Sequence, residues 1–495
     1  MKRATLTIPR PAGSAILIVM ITVAVLAFIA AGMIRLVGDR HRAAFESGSW
    51  NESVLAAEAG ADFAVKALRG TLAERETWTD QTNALSSAGA TWGANWGTPI
   101  DQNGAAVGSP LPATGSNSSA GVVVARWYRP TEPIIEHVGE GSTRLFTNVI
   151  VDAPASLLQS SGLQWYRIRS IGMVNLPFRR ASADRYDNDL RQLSLVWDRK
   201  NLFVPPPFAS RLIEVVVQPV TAFSRALTST VSINISAAAV DVDSFDSRDP
   251  LKSTGGLYDV SKRQSNGDVA TNGTAFTING TIYGDAYTDG GSLAPSGNVT
   301  GDVRNDIYTD LTPVLAPTWS ASGGTPTTVT GASTVNGGTA GSPVRVILDK
   351  LTGDLTLAPG TGGYVDIYVT GDITGKITVQ AGMQVRVWFG GHLKMGSSDL
   401  QNQTDRAETL QFFGVNPAVG VSKDIDLKPS GIFTCAVYAP GHDFVGHGSG
   451  ELRGSVTART VQLKDTCSLH YDEALADDPG WITGFKVASW LEDVR

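Results

Sequence analysis

One run of apolar residues is long enough to span a membrane, and it constrains everything that follows it. The run extends from Ala15 to Ile34, and only Thr22 and Gly32 depart from its large or aliphatic character. A helix of this length is roughly 30 Å long, which matches the hydrocarbon core of a bilayer. Basic residues precede the run at positions 2, 3 and 10. The positive-inside rule therefore predicts a cytoplasmic N-terminus, with everything after Arg35 on the far side of the membrane.

Three interpretations of this segment are open. A cleaved secretory signal would have a shorter apolar core, of about 7 to 15 residues, and a better small-residue cleavage site than FIAAGMIRL. A plain single-pass anchor is the second interpretation. The third follows from the order of residues: a short basic leader ends at Gly13, and Ser14 stands directly before the apolar run. This order resembles the class III leader of type IV pilin-like proteins. The resemblance implies cleavage after Gly13 by prepilin peptidase, so that Ser14 begins the mature chain.

The residues after the run favour the third interpretation. No proline occurs between Arg35 and Gly70. Apolar and small residues recur there at intervals of three and four, at Trp50, Val54, Ala57, Ala61, Ala64 and Leu68. This spacing places them on one face of a helix. We therefore predict one continuous helix over residues 14–70, with an apolar first half and an amphipathic second half, roughly 80 Å long.

The phrase around Ala57, Glu58, Ala59 and Gly60 resembles the N-terminus of PilX-type minor pilins, in which an apolar segment runs into a helix containing AAEAG. Major pilins carry a Glu close behind the mature N-terminus, and Ile18 stands at that place here. A carboxylate in the membrane needs a charged partner, which in the family is the N-terminal ammonium of a neighbouring subunit. Its absence favours a scarce accessory subunit over the repeating subunit of a filament.

Composition favours β-structure after the helix and excludes one class of partner. The chain has 495 residues with 53 Gly and 24 Pro, which is typical of a β-rich protein of several domains. Its formal net charge is −7, without a basic block beyond the leader, so nucleic-acid binding has no electrostatic support. The two cysteines, Cys435 and Cys467, are predicted to lie outside the cytoplasm. They are candidates for one disulfide, with two buried thiols as the alternative.

Residues 71–240 are predicted to form an α+β, pilin-like region. The first part, to about residue 120, is rich in small polar residues and reads as a surface excursion. Five runs between residues 121 and 217 alternate in polarity, which predicts an antiparallel sheet packed on the second half of the helix. These runs are GVVVARWYR, TNVIVD, WYRIRSIGMVNL, LRQLSLVWDR and RLIEVVV. A proline triplet at residues 205–207 is predicted to be a stiff crossing segment.

Residues 241–476 are predicted to form a β-helical head. From about Asn266 to His470, short strand-like runs are separated by corners rich in Gly, Asn and Asp, without intervening helices. This pattern favours a solenoid with stacked parallel rungs, and a β-sandwich is the alternative. Some eight rungs at the inter-strand spacing would give a rod of roughly 40 Å. Residues 477–495 form a tail, in which Phe485–Glu492 could be a closing strand.

The head also carries a family resemblance. The phrase VDSFDSRDP from Val242 to Pro250 and the phrases VYAPGHDF and HYDEAL near the C-terminus are similar to those of the β-helical head that is often joined to PilX-type N-termini. Four carboxylates between Asp241 and Asp249 also invite a calcium interpretation. The EF-hand positions are out of register from Asp241, so we favour turns that begin the head.

Motifs that carry chemistry are scarce. His442 and His447 lie close together in HDFVGH, but neither CxxC nor HExxH accompanies them, and we predict no metal site and no cofactor. Some β-helices host polysaccharide-active enzymes, and the carboxylates of Asp354, Asp366 and Asp372 are the candidates in such a fold. Fold analogy alone does not make them catalytic.

We therefore predict a protein that is not an enzyme: a minor pilin or pseudopilin-like component of a type IV pilus or a type II secretion-like fibre. The resemblance implies a bacterial inner membrane location, with the head in the periplasm or on the fibre. It also implies prepilin peptidase and other pilins or pseudopilins as partners, a place at the tip or in an initiating complex, and an extracellular surface or glycan as ligand. The alternative is a membrane-anchored β-helical enzyme that acts on polysaccharide.

Overall fold

The computed structural model describes residues 12–72, 84–86, 92, 96–97, 125–128, 134–136, 144–159, 163–175, 208–294, 298–322, 327–478 and 481–493. Several sequence predictions lie outside these residues. They are the leader before residue 12, most of the excursion over 71–120, the LRQLSLVWDR run and the proline triplet at 205–207.

A single helix, α1, extends over Ala12–Thr71 and contains 60 residues. The described side chains of its first half are exposed, and burial begins at Ser49. The Thr71 hydroxyl donates a hydrogen bond of 2.6 Å to the Leu68 carbonyl oxygen in the last turn. The predicted continuous helix to about residue 70 is therefore confirmed.

The second half of α1 packs on an antiparallel sheet. Its first five strands are β1 (Ala125–Tyr128), β2 (Ile135–Glu136), β3 (Arg144–Asp152), β4 (Tyr166–Asn175) and β5 (Phe208–Thr221). Strands β1, β3, β4 and β5 are neighbours in that order, and β2 pairs with β3. The core between helix and sheet contains Ala57, Ala61, Ala64, Leu68, Val149, Val151, Ile168, Ile213 and Val215.

The next 22 strands form the β-helix. They are β6 (Leu227–Ile235), β7 (Asp241–Phe245), β8 (Val269–Thr271), β9 (Ala275–Ile278), β10 (Thr281–Ile282), β11 (Ala286–Thr288), β12 (Ser292–Ala294), β13 (Val303–Arg304), β14 (Thr327–Val329), β15 (Ser333–Asn336), β16 (Val344–Leu351), β17 (Leu355–Ala358), β18 (Tyr364–Val369), β19 (Ile377–Val379), β20 (Gln384–Phe389), β21 (Leu393–Ser397), β22 (Leu400–Asn402), β23 (Leu410–Gly414), β24 (Asp424–Pro429), β25 (Ile432–Gly446), β26 (Glu451–Leu463) and β27 (Ser468–Asp472). Every pairing between two of these strands is parallel.

Each rung stacks its strands directly on those of the next rung. Val365 pairs with Val385, and Val385 pairs with Leu410, so equivalent apolar side chains form columns inside the solenoid. All three are buried in one continuous core. The fold class predicted from the sequence, with its long helix, antiparallel sheet and parallel β-helix, is confirmed, and the β-sandwich alternative is wrong.

The rungs are not stacked in the order of the chain. The chain enters at β6 and winds through β8 and β11 to β13, which forms a short arm. It then crosses to the opposite end of the stack and winds through β14, β16, β18, β20 and β23 to β25, which forms a long arm. Strand β26 finally stacks on β6, so the last full rung closes on the first one. The two arms therefore meet at an interior rung.

Residues 306–322, here called the strap, run along the outside of the stack between the two ends. Arg225 donates to the Thr309 hydroxyl at 2.8 Å, and the Tyr438 hydroxyl donates to the Thr312 carbonyl oxygen at 2.8 Å. Farther along, Trp319 packs edge-on against Trp388 with ring centroids 6.2 Å apart. The strap thus contacts rungs of both arms.

The last strand, β28 (Ile482–Asp493), leaves the β-helix and returns to the antiparallel sheet. It pairs with β5 over most of its length, from Ile482 opposite Thr221 to Asp493 opposite Leu212. The strands by which the chain enters and leaves the head are therefore hydrogen-bonded to each other. Phe485–Glu492, which the sequence left open as a closing strand, completes the pilin-like sheet and adds no rung to the head.

Candidate functional site

The apolar half of α1 is the first candidate site. Leu17–His41 is long and apolar enough to cross a membrane, and none of it is buried within the protein. Ala15, Ile18 and Ile34, which the sequence assigned to the membrane segment, lie in α1, and Ile18 and Ile34 are 61% and 74% exposed. Apolar side chains without protein contacts over this length need another apolar environment.

The Ala57–Gly60 motif explains how the second half of α1 meets the sheet. Ala57 is fully buried, and a side chain at Gly60 would lie 2.2 Å from the Thr147 hydroxyl oxygen. The reciprocal position is Gly172 on β4, where a side chain would lie 1.9 Å from the Ser53 carbonyl oxygen. The motif is therefore a close helix–sheet contact that admits only small residues. Glu58 and Ala59 are half-buried at its margin.

The two phrases that define the resemblance of the head meet at the interior rung. Asp243 of VDSFDS pairs with His470 of HYDEAL, where β7 and β27 run side by side. His470 Nδ1 lies 2.6 Å from Asp243 Oδ1, and both side chains are nearly or fully buried. Both phrases could be recognised in the sequence, but no local pattern indicated that they are adjacent in the fold.

A tyrosine completes this cluster. The Tyr258 hydroxyl donates to Asp243 Oδ2 at 2.6 Å, and its ring stacks on His470 with centroids 3.7 Å apart. Burial, together with the hydrogen bond to Asp243, raises the pKa of Tyr258 far above its usual range, so this hydroxyl stays a donor. Arg263 Nε lies 3.9 Å from Asp243 Oδ2. Because Asp243 and His470 are buried, the bond between them joins the first rung to the last inside the head.

Further bonds join the same two segments. Asp472 accepts from the Ser247 backbone amide at 3.0 Å, and Glu473 accepts from the Ser244 hydroxyl at 2.9 Å. Burial raises the pKa of Asp472. The Glu473 carboxylate also lies 2.8 Å from Lys252 Nζ. These contacts, which link residues more than 200 positions apart, account for the two acidic residues of the HYDEAL phrase.

Asp241–Asp249 forms turns and ion pairs. Asp246 accepts from the backbone amide of Arg248 at 3.0 Å, and Asp249 from that of Leu251 at 2.8 Å, the pattern of Asx turns. Asp241 lies 3.5 Å from Arg263. Among the described residues, no group of three or more His, Cys, Asp or Glu side chains is arranged to hold a metal ion.

The carboxylates considered for polysaccharide chemistry are not brought together. Asp366 accepts two bonds from Arg386, at 2.9 and 3.1 Å. Asp372 lies beyond the end of β18 and accepts from the His392 backbone amide at 2.9 Å, and this bond lowers its pKa. Asp354 is exposed at a corner. This arrangement gives no support to the enzyme alternative.

His442 and His447, which are close together in the sequence, lie in different environments in the structure. His442 is fully buried against Phe389, with ring centroids 5.0 Å apart. His447 Nε2 lies 2.7 Å from Asp426 Oδ1 at the surface.

Cys435 and Cys467 are buried free thiols in the structure. Burial raises the pKa of each to about 12. Cys435 is paired with Gly454 on β26, and Cys467 lies in the turn that follows that strand. The disulfide is not formed in this arrangement, and it stays a prediction for the exported protein. Gly13 and Ser14 lie in the first turn of α1, but cleavage between them likewise stays a prediction.

Comparison with known proteins adds two findings. Residues 345–478, about a quarter of the chain, match a family described as a domain of unknown function, DUF7305. Among solved structures, the competence-associated pilin ComZ from Thermus thermophilus is similar at 10% identity, over 90% of this chain and 97% of that chain, with a TM-score of 0.23. A TM-score this low does not establish a common fold. No curated protein matches the sequence.

Proposed function

We propose that the protein is a minor pilin or pseudopilin-like subunit of a type IV pilus or a type II secretion-like fibre in the bacterial inner membrane. The observation that carries this proposal is the division of α1. Its first half is apolar and exposed, and its second half is packed on an antiparallel sheet through small residues. Such a helix can be held in a membrane and later transferred, without refolding, to an apolar bundle of neighbouring helices. Other pilins or pseudopilins are therefore the expected partners.

Two features favour a place at the tip or in an initiating complex. The β-helical head is much larger than the sheet that carries it, and a subunit above it in a helical fibre would meet this bulk. Ile18 also supplies no carboxylate for the ammonium of a neighbouring helix. The head would then present its surface for assembly or for adhesion to a cell surface or a glycan.

The processing step provides the first test. Prepilin peptidase should cut after Gly13, so the mature chain should begin at Ser14, and Gly13→Val should leave the full-length precursor in the membrane. Gly32→Val is a matched control within the apolar run, because a side chain there has no atom within 4 Å. N-terminal sequencing or intact mass from the native host distinguishes the outcomes. Cleavage beyond residue 29 would identify an ordinary secretory signal instead.

The position in the fibre is tested separately by immunogold labelling of sheared fibres. The proposal expects label at fibre ends. Regular label along the shaft would contradict the tip placement, and unlabelled fibres with intact protein in the membrane would favour a plain anchor.

A further inference from the structure

The outer edge of β28 is an exposed strand edge of the pilin-like sheet. On its inner side β28 pairs with β5, and no strand among the described residues pairs with its outer side. Three large apolar side chains of β28 are strongly exposed: Val487 at 52%, Trp490 at 47% and Leu491 at 58%. Edge strands usually carry charges or proline that prevent pairing, whereas residues 487–491 of β28, between Lys486 and Glu492, have neither. Over residues 486–491, a strand edge with no partner strand among the described residues, beside exposed apolar side chains, is suited to the addition of another strand.

The exposed side chains point to both faces of the sheet. Trp490 pairs with Val215, which is buried in the core beneath α1, so Trp490 lies on the helix side. Leu491 pairs with Glu214 and therefore lies on the opposite side. A docked helix would cover only one of these faces. An added strand extends both faces at once and places its own side chains beside Trp490 and Leu491.

The charges that flank the apolar stretch and the direction of β28 together define which strand can bind to this edge. Lys486 and Glu492 flank the apolar stretch, so the complementary strand has an acidic residue opposite Lys486 and a basic residue opposite Glu492. A second copy paired antiparallel would satisfy this charge pattern. However, β28 runs in the same direction as β4, because both are antiparallel to β5.

The contacts of β4 with α1 fix that direction relative to the membrane segment. Gly60 of α1 faces Ser170, whereas Ser53, nearer the apolar half, faces Gly172. Strands β4 and β28 therefore run towards the apolar half of α1. An antiparallel second copy would point its apolar half away from the first, so both could not lie in one membrane. A parallel copy in register would place Lys486 beside Lys486.

We propose that the outer edge of β28 binds an extended apolar strand from a different chain anchored in the same membrane, with opposite charges at the positions facing Lys486 and Glu492. This inference rests on the proposed function for the shared membrane. It adds the surface through which this subunit recognises its neighbour. The pairing extends the pilin-like sheet and leaves the β-helical head free.

The test uses the full-length protein in membranes of its native host, with a photoreactive benzoylphenylalanine at Leu491. Val231, which is 45% exposed on the head, is the matched control position. The expected result is a cross-link from position 491, and none from position 231, to a peptide of another membrane-anchored chain. That peptide should be an alternating apolar segment flanked by an acidic and a basic residue. A cross-link to a second copy, a cross-link within the same chain, or the absence of any cross-link would overturn the proposal.

Charge substitutions provide a second test of the proposal. With the probe at Leu491, Lys486→Glu should lower the cross-link yield about tenfold, the change produced by a loss of about 1.4 kcal/mol. Val231→Lys should leave the yield unchanged. Equal trypsin resistance of the heads shows that the variants are folded, and an unchanged yield in Lys486→Glu would remove the charge argument. Leader processing is measured in the same samples. Processed chains without a cross-link refute this inference alone, whereas a cross-link from unprocessed chains refutes the proposed function alone.

Discussion

At the scale of single residues, His442 shows how burial turns a histidine into a source of acid sensitivity. Its ring is fully buried beside Gly414 and Phe389. Burial lowers its pKa to about 4, an effect that the nearby Gly391 backbone only partly offsets. The unfolded chain has the ordinary pKa near 6.5, so it binds a proton over a range in which the folded protein does not.

The consequence is a loss of stability with falling pH. Above pH 6.5 the histidine is neutral in both states and contributes no pH dependence. Between pH 6.5 and pH 4 it should lower the free energy of unfolding progressively, by about 3 kcal/mol at pH 4. His442→Leu should remove this part of the acid sensitivity, whereas His447→Gln at the surface should not. The free energy of unfolding of the wild type, His442→Leu and His447→Gln is measured with denaturant at pH 7 and pH 4.5. Equal losses of stability in the wild type and His442→Leu would contradict the assignment of this acid sensitivity to His442.

The sequence identified this histidine but could not assign its role. His442 and His447 are separated by five positions, an odd number, which directs extended side chains to opposite faces of a strand. Burial of one ring depends on Gly414 and Gly391 in neighbouring rungs, and no local pattern reports such contacts.

At the scale of elements, the contact between α1 and β4 depends on two glycines in sequence-distant segments. The spacing of Ala57, Ala61, Ala64 and Leu68 was sufficient to predict a helical face. It did not reveal that the partner strand also needs a glycine, at position 172. The role of the C-terminal strand could not be predicted either. Strand β28 is defined by its pairing with β5, more than 260 residues earlier in the chain.

We expect Gly172→Ala to weaken this packing strongly. The added carbon would lie 1.9 Å from the Ser53 carbonyl oxygen and 2.4 Å from the Ala57 amide nitrogen, and backbone atoms cannot rotate away. Overpacking of this kind costs about 1 to 3 kcal/mol or more. Gly484→Ala, on β28, is the control because a side chain there has no neighbour within 4 Å. Thermal unfolding in detergent should show a lower midpoint for Gly172→Ala only. Equal midpoints would mean that the close approach of α1 and β4 does not determine the stability of this contact.

At the scale of the whole molecule, the sequence predicted the β-helix but not its winding. Apolar alternation and glycine corners are local, and they identify rungs. The closure of β26 on β6 joins segments more than 200 residues apart, and the strap that makes this closure possible contacts residues 84 and 126 positions away. The phrases around Asp243 and His470 mark the closure point because buried polar groups there must find each other.

From this winding we predict that the head is a single folding unit that cannot be divided at residues 345 and 478, the boundaries of the family match. A fragment of residues 345–478 keeps the long arm from β16 onward but loses β14, β6 and β7, so the edges of β26 and β27 and the ring of His470 would lose their partners. A fragment of residues 222–478 retains both arms, the strap and the closure. We therefore expect residues 222–478 to unfold cooperatively as a monomer, and residues 345–478 to aggregate or bind a dye specific for exposed apolar surface. Thermal melts followed by circular dichroism measure the cooperativity of unfolding of both fragments, and light scattering measures their oligomeric state. A cooperative, monomeric 345–478 fragment would show that the long arm is stable without the first rung, and that the closure at Asp243 and His470 is not what holds the head together.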